Sequence, residues 1–171
     1  AAADVGAEAD VRLVRHDSSE PVVASYGMAL APVEVWEPGA ADVLIVPGGR
    51  WAARGPGGAW GQVAQGAILP ELRQARRGGT VVIAAVCTGS MILAHAGLLD
   101  GRRATTHHTA LSDLAEFDVE IVDARVVDDG DVVTCGGVTS GIDLALALVR
   151  RSFGDDLADQ VAARLEYPPP A

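Results

Sequence analysis

The chain has 171 residues, 49% of them apolar, and a formal net charge of −10. This size and composition fit one globular domain with its own core, and the acidic balance disfavours binding to the phosphates of nucleic acids. All 13 basic residues are arginines, which excludes a lysine Schiff base, a pyridoxal-phosphate lysine and a Walker lysine.

No segment has the apolar length of a membrane span, and no signal sequence opens the chain. The two cysteines, Cys87 and Cys135, do not form the disulfide framework of a small secreted protein. We therefore expect a soluble, cytoplasmic protein that carries both cysteines as thiols and binds neither membrane nor nucleic acid.

Short apolar segments alternate with longer stretches of helical period. This pattern predicts a doubly wound α/β domain, in which helices cover both faces of a mostly parallel sheet. In chain order, the predicted strands are VRLV (11–14), DVLIV (42–46), TVVIAAV (80–86), RATTH (103–107), VEIV (119–122) and DVVTC (131–135). The predicted helices cover residues 68–77, 89–99, 109–117, 141–153 and 155–166. Asp129 and Gly130, between two β-branched runs, predict a small β-hairpin with a tight turn.

The stretch VVIAAVCTGS (81–90) places Cys87 between a buried strand and a helix. A side chain at such a turn points over the carboxyl ends of the strands, where open α/β sheets bind ligands. The free N–H groups and positive dipole end of the following helix favour the thiolate, which is the nucleophilic form of cysteine. Cysteine is also a common small core residue, so the pattern leaves both interpretations open.

A second apolar strand, VLIVPGG (43–49), ends in Gly48 and Gly49. Glycines at a carboxyl edge let a backbone N–H face a ligand without an intervening side chain. Together with the N–H of Thr88, such a group could form an oxyanion-hole pair. Most PGG turns only change the direction of the chain, so a purely structural role stays open.

Four segments carry a family resemblance: VLIVPGG, AAVCTGSMILAHAGLLDGRRATTHH, VTCGGVTSGIDLALAL and ARLEYPPP. They resemble the ThiJ/PfpI superfamily of the class I glutamine-amidotransferase-like fold, in particular its isocyanide hydratase branch, from about Pro21 to Tyr167. The resemblance implies a flavodoxin-like α/β fold and a homodimer without metal or organic cofactor. The implied activity is the hydration of small organic isocyanides to N-substituted formamides through a covalent thioimidate.

The resemblance also assigns roles to individual residues. The implied catalytic residues are the nucleophile Cys87 and the oxyanion-hole donors Thr88 and Gly49, and the implied substrate-binding residues are Gly48, His107 and Val138. In the family an acidic residue that follows the first strand handles the proton at the cysteine. We expect this segment, with the first strand of the fold, to precede Ala1, and residues 1–171 to form a single domain otherwise.

Several alternatives stay open. His107 is also explained as a satisfied polar group at a strand end, and the adjacent His108 could face the site in its place. Cys135 is expected to be a packing residue of its strand. Similar sequence blocks occur in the amino-terminal ligand domains of AraC-type transcription regulators, so a ligand-sensing domain is the main alternative function. A related thiolate enzyme acting on reactive aldehydes or peroxide is another.

Overall fold

The computed structural model describes residues 6, 8–18, 20–24, 27–31 and 34–167. The strands are β1 (Val14–Arg15), β2 (Val22–Val23), β3 (Ala29–Leu30), β4 (Glu34–Val35), β5 (Val43–Val46), β6 (Val82–Val86), β7 (Arg102–Ala104), β8 (Val119–Ile121), β9 (Val126–Asp128) and β10 (Val132–Cys135). The helices are α1 (Gly58–Gln65), α2 (Ile68–Gly78), α3 (Gly89–His95), α4 (Leu111–Leu114), α5 (Ser140–Phe153) and α6 (Asp155–Arg164).

The central sheet has the strand order β5-β6-β10-β9. Strands β5, β6 and β10 run parallel, whereas β9 is antiparallel to β10. The remaining strands form three short pairs, of which β1–β4 and β7–β8 are parallel and β2–β3 is antiparallel. The predicted mixed α/β fold with a mostly parallel sheet is therefore confirmed.

Strand β6 is buried on both faces, which explains its unbroken apolar sequence. Ile83 and Ala85 point into a core that includes residues of α2 and α3. Val82 and Ala84 point to the opposite face and pack with Leu144 of α5. Successive residues of a strand face opposite sides of the sheet, so helices cover both faces as predicted. Strand β6 lies inside the sheet, between β5 and β10.

Three predicted helices are shorter in the structure than in the prediction, and one of them, α6, ends only two residues early, at Arg164. Helix α3 ends at His95 rather than at residue 99, and Gly97 adopts a left-handed φ of 71° just beyond it. The helix predicted over 109–117 is a 3-10 turn over His108–Ala110 followed by the single turn of α4. Within the described part of the chain, no helix is long and apolar enough to cross a membrane.

The strand predicted over 103–107 is also shorter, because β7 ends at Ala104. The N–H of Thr105 donates to the side-chain hydroxyl of Thr134, in β10, at 2.9 Å rather than to a backbone carbonyl of a neighbouring strand. The strand predicted over 11–14 is observed only as β1, at Val14–Arg15.

Helix α1 and the short strands β2 to β4 were not predicted. Helix α1 follows a stretch rich in proline and glycine and contains two glycines itself, a composition that hides its helical character. The predicted hairpin of β9 and β10 is confirmed, but its turn lies one residue later. The N–H of Asp129 donates to Val132 O at 2.9 Å, so Gly130, with a φ of 81°, begins the turn.

Candidate active site

Cys87 lies in the sharp turn between the end of β6 and the start of α3. Its φ is +57°, in the left-handed region that non-glycine residues rarely adopt. A conformation of this kind costs on the order of 1–3 kcal/mol and persists only where the surroundings enforce it. The cysteine is half-buried, so the sequence-based expectation of a strand–turn–helix geometry is met at this position.

Hydrogen bonds hold the peptide groups on both sides of Cys87. Its N–H is shared between the carbonyls of Cys135, at 3.2 Å, and Gly136, at 3.1 Å. Its carbonyl accepts from the hydroxyls of Thr106, at 3.1 Å, and Ser90, at 3.2 Å. Sequence reasoning missed Thr106 and Ser90, because nothing in the spacing of hydroxyl residues indicates which carbonyl they reach.

The PGG turn packs directly against the amino end of α3. A Cβ atom on Gly48 would lie 2.5 Å from the backbone nitrogens of both Thr88 and Gly89. A Cβ on Gly89 would in turn lie 2.2 Å from the carbonyl oxygen of Val46. Both positions therefore require glycine for close approach, and the ends of β5 and β6 meet beside Cys87.

Gly49 and Thr88, the two expected oxyanion-hole donors, contact each other. The Gly49 N–H donates to Thr88 Oγ1 at 2.8 Å, across 39 residues of sequence. The N–H of Gly49 was expected to face the ligand, but in this structure it already has a partner. The contact fixes the Thr88 side chain, which is buried, against the PGG turn.

His107, rather than His108, packs against the loop beside the cysteine. The His107 ring contacts Gly137, where an added Cβ would lie 2.2 Å from His107 Cδ2. Its neighbour His108 is exposed, with the two ring centroids 4.2 Å apart. Gly136 accepts a hydrogen bond from the Cys87 N–H. The histidine and the cysteine therefore contact the same segment, Gly136 and Gly137, which we call the glycine loop.

The His107 ring has a defined tautomer. Its Nδ1 accepts a hydrogen bond from the Thr109 N–H at 3.2 Å and lies 2.8 Å from Thr109 Oγ1. Burial, with a smaller effect from the charge of His108, lowers the pKa of His107 below its ordinary value. At neutral pH the ring is therefore uncharged, and its proton lies on Nε2.

Val138, the other residue expected at the substrate pocket, follows Gly137 and has a left-handed φ of +36°. Its side chain is 81% exposed. Contact between Val138 and a substrate remains a prediction.

An ion pair that sequence reasoning missed lies next to the segment that contains Gly137 and Val138. Asp143, at the start of α5, is buried and accepts hydrogen bonds from Arg125 Nε at 2.8 Å and from the Tyr167 hydroxyl at 3.1 Å. Arg125 also donates to Thr139 Oγ1 at 3.1 Å. The sequence does not indicate these contacts, because Arg125 and Tyr167 are 18 and 24 residues away from Asp143 along the chain.

Cys135 is a core residue of β10. It is fully buried and packs with Val82 and Leu144. Burial raises the pKa of its thiol to about 11, so this cysteine is a neutral thiol at physiological pH. The two cysteines thus differ in both exposure and backbone conformation.

Comparison with known proteins gives a consistent set of relatives. The model of the DJ-1/PfpI family matches residues 2–151. An isonitrile hydratase from Pseudomonas putida is 42% identical over 153 residues, which are 87% of this chain and 62% of that protein. The HTH-type transcriptional regulator CdhR from Pseudomonas aeruginosa is 36% identical over 145 residues, which are 83% of this chain and 40% of the regulator.

A solved structure supports the same relationship. The crystal structure of a ThiJ/PfpI family protein from Pseudomonas syringae has a TM-score of 0.85 and 30% identity, over 99% of this chain and 68% of that one. The chain spans less than two thirds of the length of both curated relatives, at 62% and 40%.

Proposed function

The chain belongs to the DJ-1/PfpI family, and from this premise we propose that it is a cysteine-dependent hydratase that converts small organic isocyanides to N-substituted formamides. The observation that carries the proposal is the left-handed φ of +57° at Cys87, in the turn between β6 and α3. Identity of 42% to an isonitrile hydratase supports the choice of substrate. The proposed reaction uses neither metal nor organic cofactor.

The first chemical step is addition of sulfur to the isocyanide. The Cys87 thiolate forms a bond to the terminal carbon of R–N≡C, and that carbon then takes up a proton. The product is a thioimidate, R–N=CH–S, which links the substrate covalently to the enzyme. A positive φ at Cys87 places the side chain at the carboxyl edge of the sheet, where a small substrate can approach it.

Water completes the reaction. Its oxygen bonds to the thioimidate carbon, and the nitrogen gains a proton. The oxygen then loses its remaining proton, the C=O bond forms and the C–S bond breaks, which releases R–NH–CHO and regenerates the thiolate. Negative charge develops on the oxygen during this collapse, and in our proposal the Thr88 N–H stabilises it. Gly49 would contribute by holding the Thr88 side chain and by sharing its N–H.

The remaining site residues define the pocket in this proposal. Gly48 permits the close contact of the PGG turn with α3. His107 would offer Nε2–H as an uncharged hydrogen-bond donor to the substrate nitrogen or oxygen, because Thr109 occupies its Nδ1. Val138 would supply an apolar contact to the R group.

A second candidate is a ligand-sensing domain, and the match to CdhR favours it. That match covers 83% of this chain but only 40% of the regulator, so a related domain is used within a longer transcriptional regulator. In a sensor, the same pocket would bind a small molecule without converting it. A thiolate enzyme acting on reactive aldehydes or peroxide would keep Cys87 and change the substrate.

Parallel assays separate these functions. The protein is incubated with a simple alkyl isocyanide and, separately, with methylglyoxal, and products are followed by chromatography. We expect the isocyanide to yield the formamide and Cys87→Ser to lose nearly all activity, because a serine hydroxyl forms almost no anion at neutral pH. Cys135→Ala is the matched control and should retain activity.

Three results would contradict the proposal. Undiminished turnover in Cys87→Ser would place the chemistry on another residue. Binding of isocyanides without formamide formation by the wild type would favour the sensing domain, and conversion of methylglyoxal alone would favour the aldehyde enzyme.

A further inference from the structure

The carbonyl of Cys87 is held by two buried hydroxyl groups. Ser90 lies in the first turn of α3, so its bonds to this carbonyl, 3.2 Å from Oγ and 3.4 Å from N, are local to the turn. Thr106 is 19 residues away in sequence, and its Oγ1 reaches the same oxygen at 3.1 Å. Both side chains are at most 3% exposed, so water cannot readily replace either bond.

The orientation of this carbonyl determines where the next N–H points. In a trans peptide the C=O of one residue and the N–H of the next point in opposite directions. Because Thr106 and Ser90 hold the Cys87 carbonyl toward the interior, the Thr88 N–H points away from them. The Thr88 nitrogen lies alongside Gly48, 2.5 Å from the position of an added Cβ, which is at the carboxyl edge of the sheet.

We propose that Thr106 is a positioning residue whose hydroxyl, by holding the Cys87 carbonyl, aims the Thr88 N–H at the charge that develops after sulfur adds to an unsaturated carbon. This inference rests on the proposed function for the identity of the substrate. The orientation of the Cys87–Thr88 peptide group can be tested without that substrate. Without the Thr106 bond, the left-handed turn can relax, and the Thr88 N–H loses its fixed direction.

Two reagents separate this role from a general effect on the cysteine. Iodoacetamide alkylates sulfur by displacing iodide, so charge develops on the leaving group. The nitrile 2-cyanopyrimidine instead accepts the S–C bond at its nitrile carbon, an electron pair moves to nitrogen, and water supplies the proton of the resulting thioimidate. An aimed N–H accelerates only the addition. Intact mass gives the rate at which each reagent modifies Cys87. The measured quantity is the rate of nitrile addition divided by the rate of alkylation, and it is compared with the same ratio for glutathione.

We expect the wild-type ratio to exceed that of glutathione. Thr106→Val should lower the rate of nitrile addition by about 10- to 100-fold, somewhat less than the loss of a whole oxyanion-hole donor, and change alkylation by less than about twofold. Thr106→Ser retains the hydroxyl and should restore the ratio. Thr106→Ala provides a second removal of the hydroxyl in case valine disturbs the fold.

Thr134→Val is the matched control. It removes a fully buried hydroxyl that accepts the N–H of Thr105, next to Thr106, and should leave the ratio unchanged. The inference is wrong if the wild-type ratio equals that of glutathione, if Thr106→Val changes both rates equally or neither, or if Thr134→Val has the same effect. None of these results depends on isocyanide turnover, so a failure of the proposed function, seen as absent formamide, is recognised separately.

Discussion

The two cysteines lie in different environments, and this predicts a large difference in their reactivity. Cys87 is half-buried in the turn before α3, whereas Cys135 is fully buried and burial raises its pKa to about 11. A raised pKa keeps the Cys135 thiol protonated until the pH approaches that value, so little thiolate is present near neutrality. We expect iodoacetamide to label Cys87 rapidly in the native protein and Cys135 only after denaturation.

Trypsin places the two cysteines on different peptides, because cleavage after Arg77 and Arg102 releases a peptide that contains Cys87 but not Cys135. Mass spectrometry of the digest then gives both labelling rates. Equal rates in the native protein would show that Cys87 has no special accessibility or reactivity.

Gly48 is predicted to be intolerant of substitution for a steric reason. A methyl group there would lie 2.5 Å from the Thr88 nitrogen, and relief of such overpacking typically costs about 1–3 kcal/mol. Gly48→Ala should therefore lower the free energy of unfolding by that amount and reduce activity. Gly55→Ala is the control in the same loop, since its nearest neighbour would be 3.8 Å away. Equal stability of the two variants in urea denaturation would contradict the packing account.

At the scale of single residues, the sequence predicted which residues lie in the turns better than it predicted their hydrogen-bond partners. An apolar strand that runs into CTGS was sufficient to single out Cys87 as a turn residue, and PGG singled out Gly48. The partner of Gly49 was not predictable, because the bond to Thr88 Oγ1 depends on one side-chain rotamer at the meeting point of two loops. The contact of Thr106 with Cys87 depends in the same way on tertiary structure.

At the scale of elements, the start of α5 is anchored by a buried acidic side chain. Asp143 pairs with Arg125 at 2.5 Å and accepts the Tyr167 hydroxyl. Removal of the carboxylate in Asp143→Ala breaks charge-assisted hydrogen bonds and should lower the free energy of unfolding by about 1.5–3 kcal/mol. The matched control is Asp159→Ala, because the exposed pair of Asp159 with Arg150 should be worth at most about 1 kcal/mol.

Urea denaturation of both variants measures the difference. Equal losses of stability would show that the hydrogen bonds of Asp143 with Arg125 and Tyr167 are no stronger than a surface ion pair.

The elements most visible in the sequence were those with two buried faces or a long periodic pattern. Strand β6 and helix α5 were predicted to within two residues. Helix α1 was missed because its stability comes from packing: Ala59 is buried and its N–H donates to Gly49 O at 2.9 Å. Two-residue strands such as β2 and β3 have too few residues to show a period.

For the whole molecule, we predict a homodimer. This prediction rests on the family resemblance rather than on a surface identified in the structure. Sedimentation or light scattering at micromolar concentration should give twice the chain mass of 17.5 kDa. A particle with the mass of a single chain at micromolar concentration would contradict the prediction.

The central claim is that a covalent bond forms between the isocyanide carbon and Cys87 during turnover. Rapid acid quench of the protein with an alkyl isocyanide, followed by digestion and mass spectrometry, tests this directly. The proposal predicts a transient adduct with the full mass of the isocyanide on the peptide that contains Cys87, absent from Cys87→Ser and decaying as formamide appears. Formamide production without this adduct, or with an adduct on another residue, would contradict the account.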